Sequence, residues 1–130
     1  MQSLTKLGAA LGARLIERKQ TLAVAESSAG GLINAALVAV PGASAYYAGG
    51  CVIYTASGRE ALLGIAPQDM AGMRSASEPF AQLLARRVRE KLGTTWGLSE
   101  TGSAVREKNM WCFARRAIEL LDACMRKAAS

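Results

Sequence analysis

The chain contains no histidine, and that absence closes several routes at once. No Ser-His-Asp triad, histidine-bound zinc or imidazole base can be built, so any catalysis must come from Ser, Tyr, Lys, Arg, carboxylates or backbone amides. Cysteine is scarce as well: Cys51, Cys112 and Cys124 are an odd number at spacings that fit no metal motif. The last two fall on one helical pattern and read as small buried apolar residues with no redox role. Aromatics make up only 5% of the 130 residues, too few for a base-stacking surface. No apolar run approaches the ~18–20 residues needed to cross a bilayer. The opening MQSLTKLGAALGARLIERKQ lacks an apolar core followed by a cleavage site, and reads as an amphipathic helix. These exclusions leave a chain expected in the cytoplasm, with no membrane partner.

What remains is ordinary globular composition, 51% hydrophobic and 20% charged, at a length that suits one domain over residues 1–130. The formal net charge of +6 comes from basic residues dispersed over helical segments with acids between them. Such a surface favours small anionic ligands, and no specific nucleic-acid partner is expected.

Along the chain, Leu4, Leu7, Leu11 and Leu15 recur at helical spacing and predict a helix over 3–19. TLAVA at 21–25 is uninterrupted and apolar, as a strand buried on both faces requires. A helix over 32–40 ends at Pro41-Gly42, and GCVIYT at 50–55 reads as the second strand. A βαβ unit follows from that order, with a hairpin return as the alternative. ALLGI and the stretch after Pro67 read as short helices. SEPFAQLLARRVREKL reads as a strong helix, with Ser77 as N-cap, Pro79 in the first turn and Gly93 past its end. TTWGLSE at 94–100 is the third strand. A closing helix from about Val105 carries Met110, Phe113, Ala114, Ala117, Leu121, Cys124 and Met125 on one stripe. The alternation predicts an α/β fold, layered as a small sheet with flanking helices.

LAVAESSAGG at 22–31 is where chemistry could gather. Glycines between a strand end and a helix start permit close backbone approach, and the first free amides of a helix attract anions. Ser27 and Ser28 would then face a ligand, or cap those same amides. The run matches neither a P-loop nor a dinucleotide fingerprint, so from spacing alone it is an anion-friendly loop or simply a structural turn.

AESSAGG, followed by AVPGASAYYAGGCVIYT, ALLGI, SEPFAQLLARRVREKLGTTWGLSETG and REKNMWCFARRAIELL, resembles the C-terminal domain of the competence/damage-inducible CinA family along nearly the whole chain. The resemblance implies an α/β fold, a homo-oligomer and a nicotinamide-mononucleotide amidohydrolase. Such an enzyme converts the carboxamide of the nucleotide to the acid and ammonia, with no metal and no cofactor. By motif it implies Ser44 as nucleophile, with Ser27, Tyr54, Arg59 and Thr101 as further catalytic positions. Gly30, Gly31 and Arg106 are implied to bind the nucleotide and its phosphate. Each has a plain structural reading too: Ser27 and Ser44 as helix caps, Tyr54 as a strand-end core residue, Arg106 as a solvated charge.

Two departures qualify this picture. The lysine of the family pattern is Arg59 here, and a guanidinium with a pKa above ~12 cannot deprotonate a serine. SETGSA at 99–104 also runs directly into VREKNMW, where the family pattern inserts a Gly/Pro-rich segment and two strands. The fold is therefore expected to lack those two strands. The functional alternatives are the amidase itself or a catalytically inactive member acting as a nucleotide-binding or assembly module.

Overall fold

The computed structural model describes residues 2–102 and 108–129, with side chains over 4–102 and 114–128. Leu22–Glu26 forms the central strand, β1, and all five of its residues are buried. Side chains alternate across a strand, so Leu22 and Val24 face one side while Ala23 and Ala25 face the other, and each pair joins a separate core. Tyr47–Val52 (β2) pairs parallel to β1 on one edge, and Trp96–Ser99 (β3) pairs parallel on the other. The parallel βαβ reading is the one observed, and the hairpin return is not.

On the leucine side lie three helices: Gln2–Arg18 (α1), Leu32–Val38 (α2) and Lys108–Ala129 (α5). Leu4, Leu11 and Leu15 of α1 meet Ile33 and Leu37 of α2, together with Ile118 and Met125 of α5. Tyr46 is fully buried at the centre of this layer, where its hydroxyl donates to the Leu37 carbonyl at 2.7 Å. Arg18 reaches the far helix, donating to the Met125 carbonyl at 2.7 Å. On the alanine side lie Ala56–Leu63 (α3) and Glu78–Leu92 (α4), which supply Leu63, Phe80, Leu83, Leu84 and Val88. The architecture is thus three layers, with a small parallel sheet between helices.

Small residues set the spacing on the alanine side. A Cβ built on Gly97 would stand 2.2 Å from the Ala85 carbonyl oxygen, so α4 rests directly on the backbone of β3. Helix α4 carries the ends its sequence predicts: the Ser77 hydroxyl accepts from the Phe80 amide, and Gly93 closes the helix at φ 65°.

Two expectations need correction. The second strand lies at 47–52 rather than 50–55, because pairing with β1 runs from Leu22↔Tyr47 to Glu26↔Val52 and β1 ends there. The Ile53 amide makes the last bond, to the Glu26 carbonyl, and the chain then turns away. On α5, Ala114, Ala117, Ile118, Leu121 and Met125 are buried, whereas Cys124 falls at the margin of the stripe and is exposed. Met110, Phe113 and Cys112 have side chains outside the described residues, as does the segment 103–107 where the last helix was expected to begin.

Gly97→Ala should destabilise the fold by about 2 kcal/mol, since carbonyl and strand backbone cannot both stay in place. A urea-unfolding midpoint equal to that of the native sequence would show that α4 does not sit this close.

Candidate functional site

In an open parallel sheet, the crevice outside the carboxyl ends of the strands, where strand order reverses, is the usual ligand position. Here the reversal is at β1, with β2 on one side and β3 on the other. The residues following β1, β2 and β3 meet at this end of the sheet and enclose a cavity of about 320 Å³. It is lined by Ser27 and Ser28 after β1, Tyr54 after β2, Thr101 and Gly102 after β3, and Ser75 and Ala76 from the segment preceding α4. A smaller recess of about 60 Å³ adjoins it, sharing Ser27, Tyr54 and Ser75 and adding Ile53, Thr55, Arg59 and Phe80.

The floor of the site is built by two buried carboxylates. Glu26, the last residue of β1, is completely buried. Its Oε1 accepts from the amides of Gly31 and Ile33 at 3.0 Å each, and its Oε2 accepts from the Asn34 amide at 2.7 Å and the Asn34 side-chain nitrogen at 2.5 Å. Tyr47 completes the chain by donating to Asn34 Oδ1. Burial, with the Glu26 charge next in size, pushes the Tyr47 hydroxyl above its ordinary value.

Glu100, just past β3, holds the other half of the loop. Its Oε1 accepts from the amides of Ser27 at 3.1 Å and Ala29 at 2.7 Å. Its Oε2 is buried and meets no donor in hydrogen-bonding geometry. Burial pushes this carboxyl above the usual range; the Glu26 charge adds to that, and the amides of Ala29, Ser27 and Gly102 oppose it. The Ser28 hydroxyl donates to the Gly102 carbonyl at 2.9 Å, tying the loop after β1 to the loop after β3.

These bonds change the reading of the glycine loop. The amides expected to attract an anion are spent: Gly31, Ile33 and Asn34 on Glu26, and Gly30 on the Ser27 carbonyl at 3.1 Å. Gly30 and Gly31 serve the turn itself, at φ 65° and 102°, and neither lines the cavity. Nor does Ser27 or Ser28 cap α2; its N-cap is Gly31, and the carboxylate of Glu26 satisfies the helix amides instead. The sequence carried one sign of this, a lone glutamate ending a fully apolar strand. Glu100 and Ser75 left no comparable local mark.

The structure brings Ser27, Tyr54 and Thr101 to one cavity and Arg59 to its recess. The Thr101 hydroxyl donates to the Ser75 carbonyl. Tyr54 is 60% exposed, so it is not a core residue. Ser44 is elsewhere. It lies in the short 3-10 turn Ala43–Ala45 before β2, on the exposed surface at the amino ends of the strands. The length of β1, about 17 Å at the usual rise per residue, separates it from the cavity within one chain. Arg106 lies outside the described residues.

With this geometry in hand, comparison with known proteins is decisive. A sequence profile described as the CinA C-terminal domain matches residues 4–122. The chain belongs to that family. A CinA-like protein of Gloeothece citriformis is 41% identical over 98 residues, which are 75% of this chain and 24% of that protein. One from Myxococcus xanthus is 46% identical over 84 residues, 65% of this chain and 20% of that protein. The chain therefore spans a quarter or less of the length of these curated relatives. A CinA superfamily structure from Escherichia coli superposes with a TM-score of 0.82, covering 91% of this chain and 88% of that one, at 22% identity. That identity speaks to the fold alone. A CinA superfamily structure from Enterobacter cloacae gives 0.72 at 29% identity, covering 80% of this chain and 62% of that one. The CinA-type layered sheet is thus the scaffold on which the cavity stands. No helix among the described residues is long and apolar enough to cross a membrane.

Two measurements probe the carboxylate floor. Glu26→Gln replaces an acceptor by a donor facing helix amides, and should cost about 3 kcal/mol of stability; unfolding curves indistinguishable from native would refute this role. For Glu100 the folded carboxyl binds its proton more tightly than the unfolded one, whose ordinary value is 4.5. Its contribution to stability is therefore full below that value and is lost as pH rises through the folded value. Glu100→Gln should flatten that part of the Tm-against-pH profile, and an unchanged slope would assign the dependence to another group.

Proposed function

We propose that this chain binds a pyridine mononucleotide in the hydroxyl-lined cavity and that one chain alone does not assemble the means to hydrolyse it. The observation that carries this reading is the composition of the cavity wall. Ser27, Ser75, Tyr54 and Thr101 offer hydroxyls and Arg59 offers a fixed cation, while no lysine or carboxylate is found among the described residues lining cavity or recess. Amide hydrolysis by a serine needs a group that takes the hydroxyl proton and later returns it. A guanidinium does not exchange its proton in this range. Family membership supports the nucleotide as ligand, and the excess of basic residues supports an anionic one.

A second reading is favoured by the position of Ser44. It stands exposed at the opposite end of the sheet, where it is open to another copy of the chain. In a homo-oligomer that seats this turn against a neighbour's cavity, Ser44 of one copy would join Ser27, Tyr54 and Thr101 of the next. The nicotinamide-nucleotide amidase would then exist only as an assembly.

Thermal melting and ammonia release from nicotinamide mononucleotide separate the two. The binding module predicts a concentration-dependent rise in Tm, about 2.7 kcal/mol of added stability at a hundredfold excess over Kd, and no ammonia. The assembled amidase predicts ammonia release that Ser44→Ala and Ser27→Ala each abolish, partly restored when the two variants are mixed. A folded sample showing neither stabilisation nor ammonia rejects both readings.

A further inference from the structure

Arg59 is a cation without an anion. Arg14 and Arg126 pair with Asp122, Arg87 pairs with Asp69, and Arg18 spends a donor on the Met125 carbonyl. Arg74, Arg86 and Arg89 also lack a side-chain partner among the described residues, but they are exposed and line neither space. The Arg59 side chain, half-buried in α3, has no hydrogen-bond or ion-pair partner among the described residues. It is nonetheless held in place, its guanidinium carbon 5.5 Å from the centre of the Phe80 ring. A cation–π contact of this kind restrains the guanidinium and leaves N–H groups to meet a ligand. Arg59 is also the one charged residue among the described residues lining either space, so no carboxylate among them competes there.

The sizes of the two spaces say which part of a ligand it meets. Arg59 lines the recess of about 60 Å³ and not the cavity of about 320 Å³ beside it. The recess has room for a few water molecules, at roughly 10–15 Å³ of such space each. That accommodates a small planar end group while the body of the molecule lies in the larger cavity. A guanidinium fork also pairs with phosphate, so phosphate is the competing occupant, and the smaller space suits the smaller, planar group. A carboxylate matches the fork with two acceptor oxygens and a full opposite charge. A carboxamide has the same shape but offers one oxygen, and turns an NH2 donor toward a donor.

We infer that Arg59 is a carboxylate receptor, through which this chain prefers the acid form of a pyridine mononucleotide to its amide. The choice of mononucleotide rests on the function proposed above; the receptor role of Arg59 does not. A chain of this kind holds what an amidase would release, and keeps it bound by a charge that does not titrate.

Isothermal titration calorimetry on the full chain tests this with four probes: nicotinate mononucleotide, nicotinamide mononucleotide, free nicotinate and inorganic phosphate. Repeating the titrations in Ser44→Ala guards against conversion of one ligand into the other. The acid mononucleotide should bind at least about tenfold more tightly than the amide, as one charge-assisted bond implies. Arg59→Gln should erase that ratio while leaving amide affinity within about threefold, and Arg59→Lys should keep only part of it. Equal affinities for acid and amide overturn the inference and leave the mononucleotide pocket standing. So does an Arg59→Gln variant that weakens both alike, or Arg59-dependent binding of phosphate without acid preference. If only free nicotinate binds, and does so through Arg59, the receptor stands and the mononucleotide reading falls. A folded protein that binds none of the probes overturns both.

Discussion

Glu26 is the interaction on which the functional end of the molecule depends. A carboxylate at the tip of a fully buried strand would be costly if left alone. It is stable here because four donors converge on it, three of them the opening amides of α2 and the fourth the Asn34 side chain. The helix gains a counter-charge at its positive end, and β1 gains a fixed exit. The loop between them is consequently a tied strap that presents Ser27 and Ser28 to the cavity. A second carboxylate, Glu100, grips the first turn of the same strap from the neighbouring strand. Filling the loop from within by protein carboxylates removes the anion cradle that glycine-rich sequence suggests, and leaves Arg59 as the charged side chain among the described residues lining the recess.

The layers explain why that recess is where it is. Alanines at 23 and 25 and glycine at 97 are small, so α4 approaches the sheet closely on that side and carries Phe80 into the core beneath Arg59. The leucine face is deeper and takes three helices, with Tyr46 wedged among them. A thin side and a thick side place the crevice over the thin one, where segments from β2, β3 and the approach to α4 can reach each other.

What could be read from sequence was what local signals encode. The buried run of β1, the leucine period of α1 and the Ser77 and Gly93 ends of α4 all follow from neighbouring residues. Ser27 could be read from its loop after β1, whereas Tyr54, Arg59 and Thr101, which also line the cavities, were marked only by the family resemblance. The limits of β2 escaped because they are fixed by pairing to β1, not by the apolar run itself. Glu100 escaped because its partners lie 71 and 73 residues away. The remoteness of Ser44 likewise emerges only once the strands are parallel, which puts a turn preceding one strand far from a loop following its neighbour.

The same parallel pairing governs how the chain can come together during synthesis. β1 and β2 are close in sequence and can meet early. β3 joins β1 only after more than seventy residues have been made, as the 74-residue separation of Thr21 from its partner Thr95 measures. Arg18 waits longer still, 107 residues, for the carbonyl of Met125. Closing such long loops costs entropy before any contact rewards it. A nascent chain therefore exposes one edge of β1 until β3 has emerged, and part of the apolar face of α1 until α5 has emerged, and in that interval a chaperone or a second nascent copy finds those surfaces uncovered.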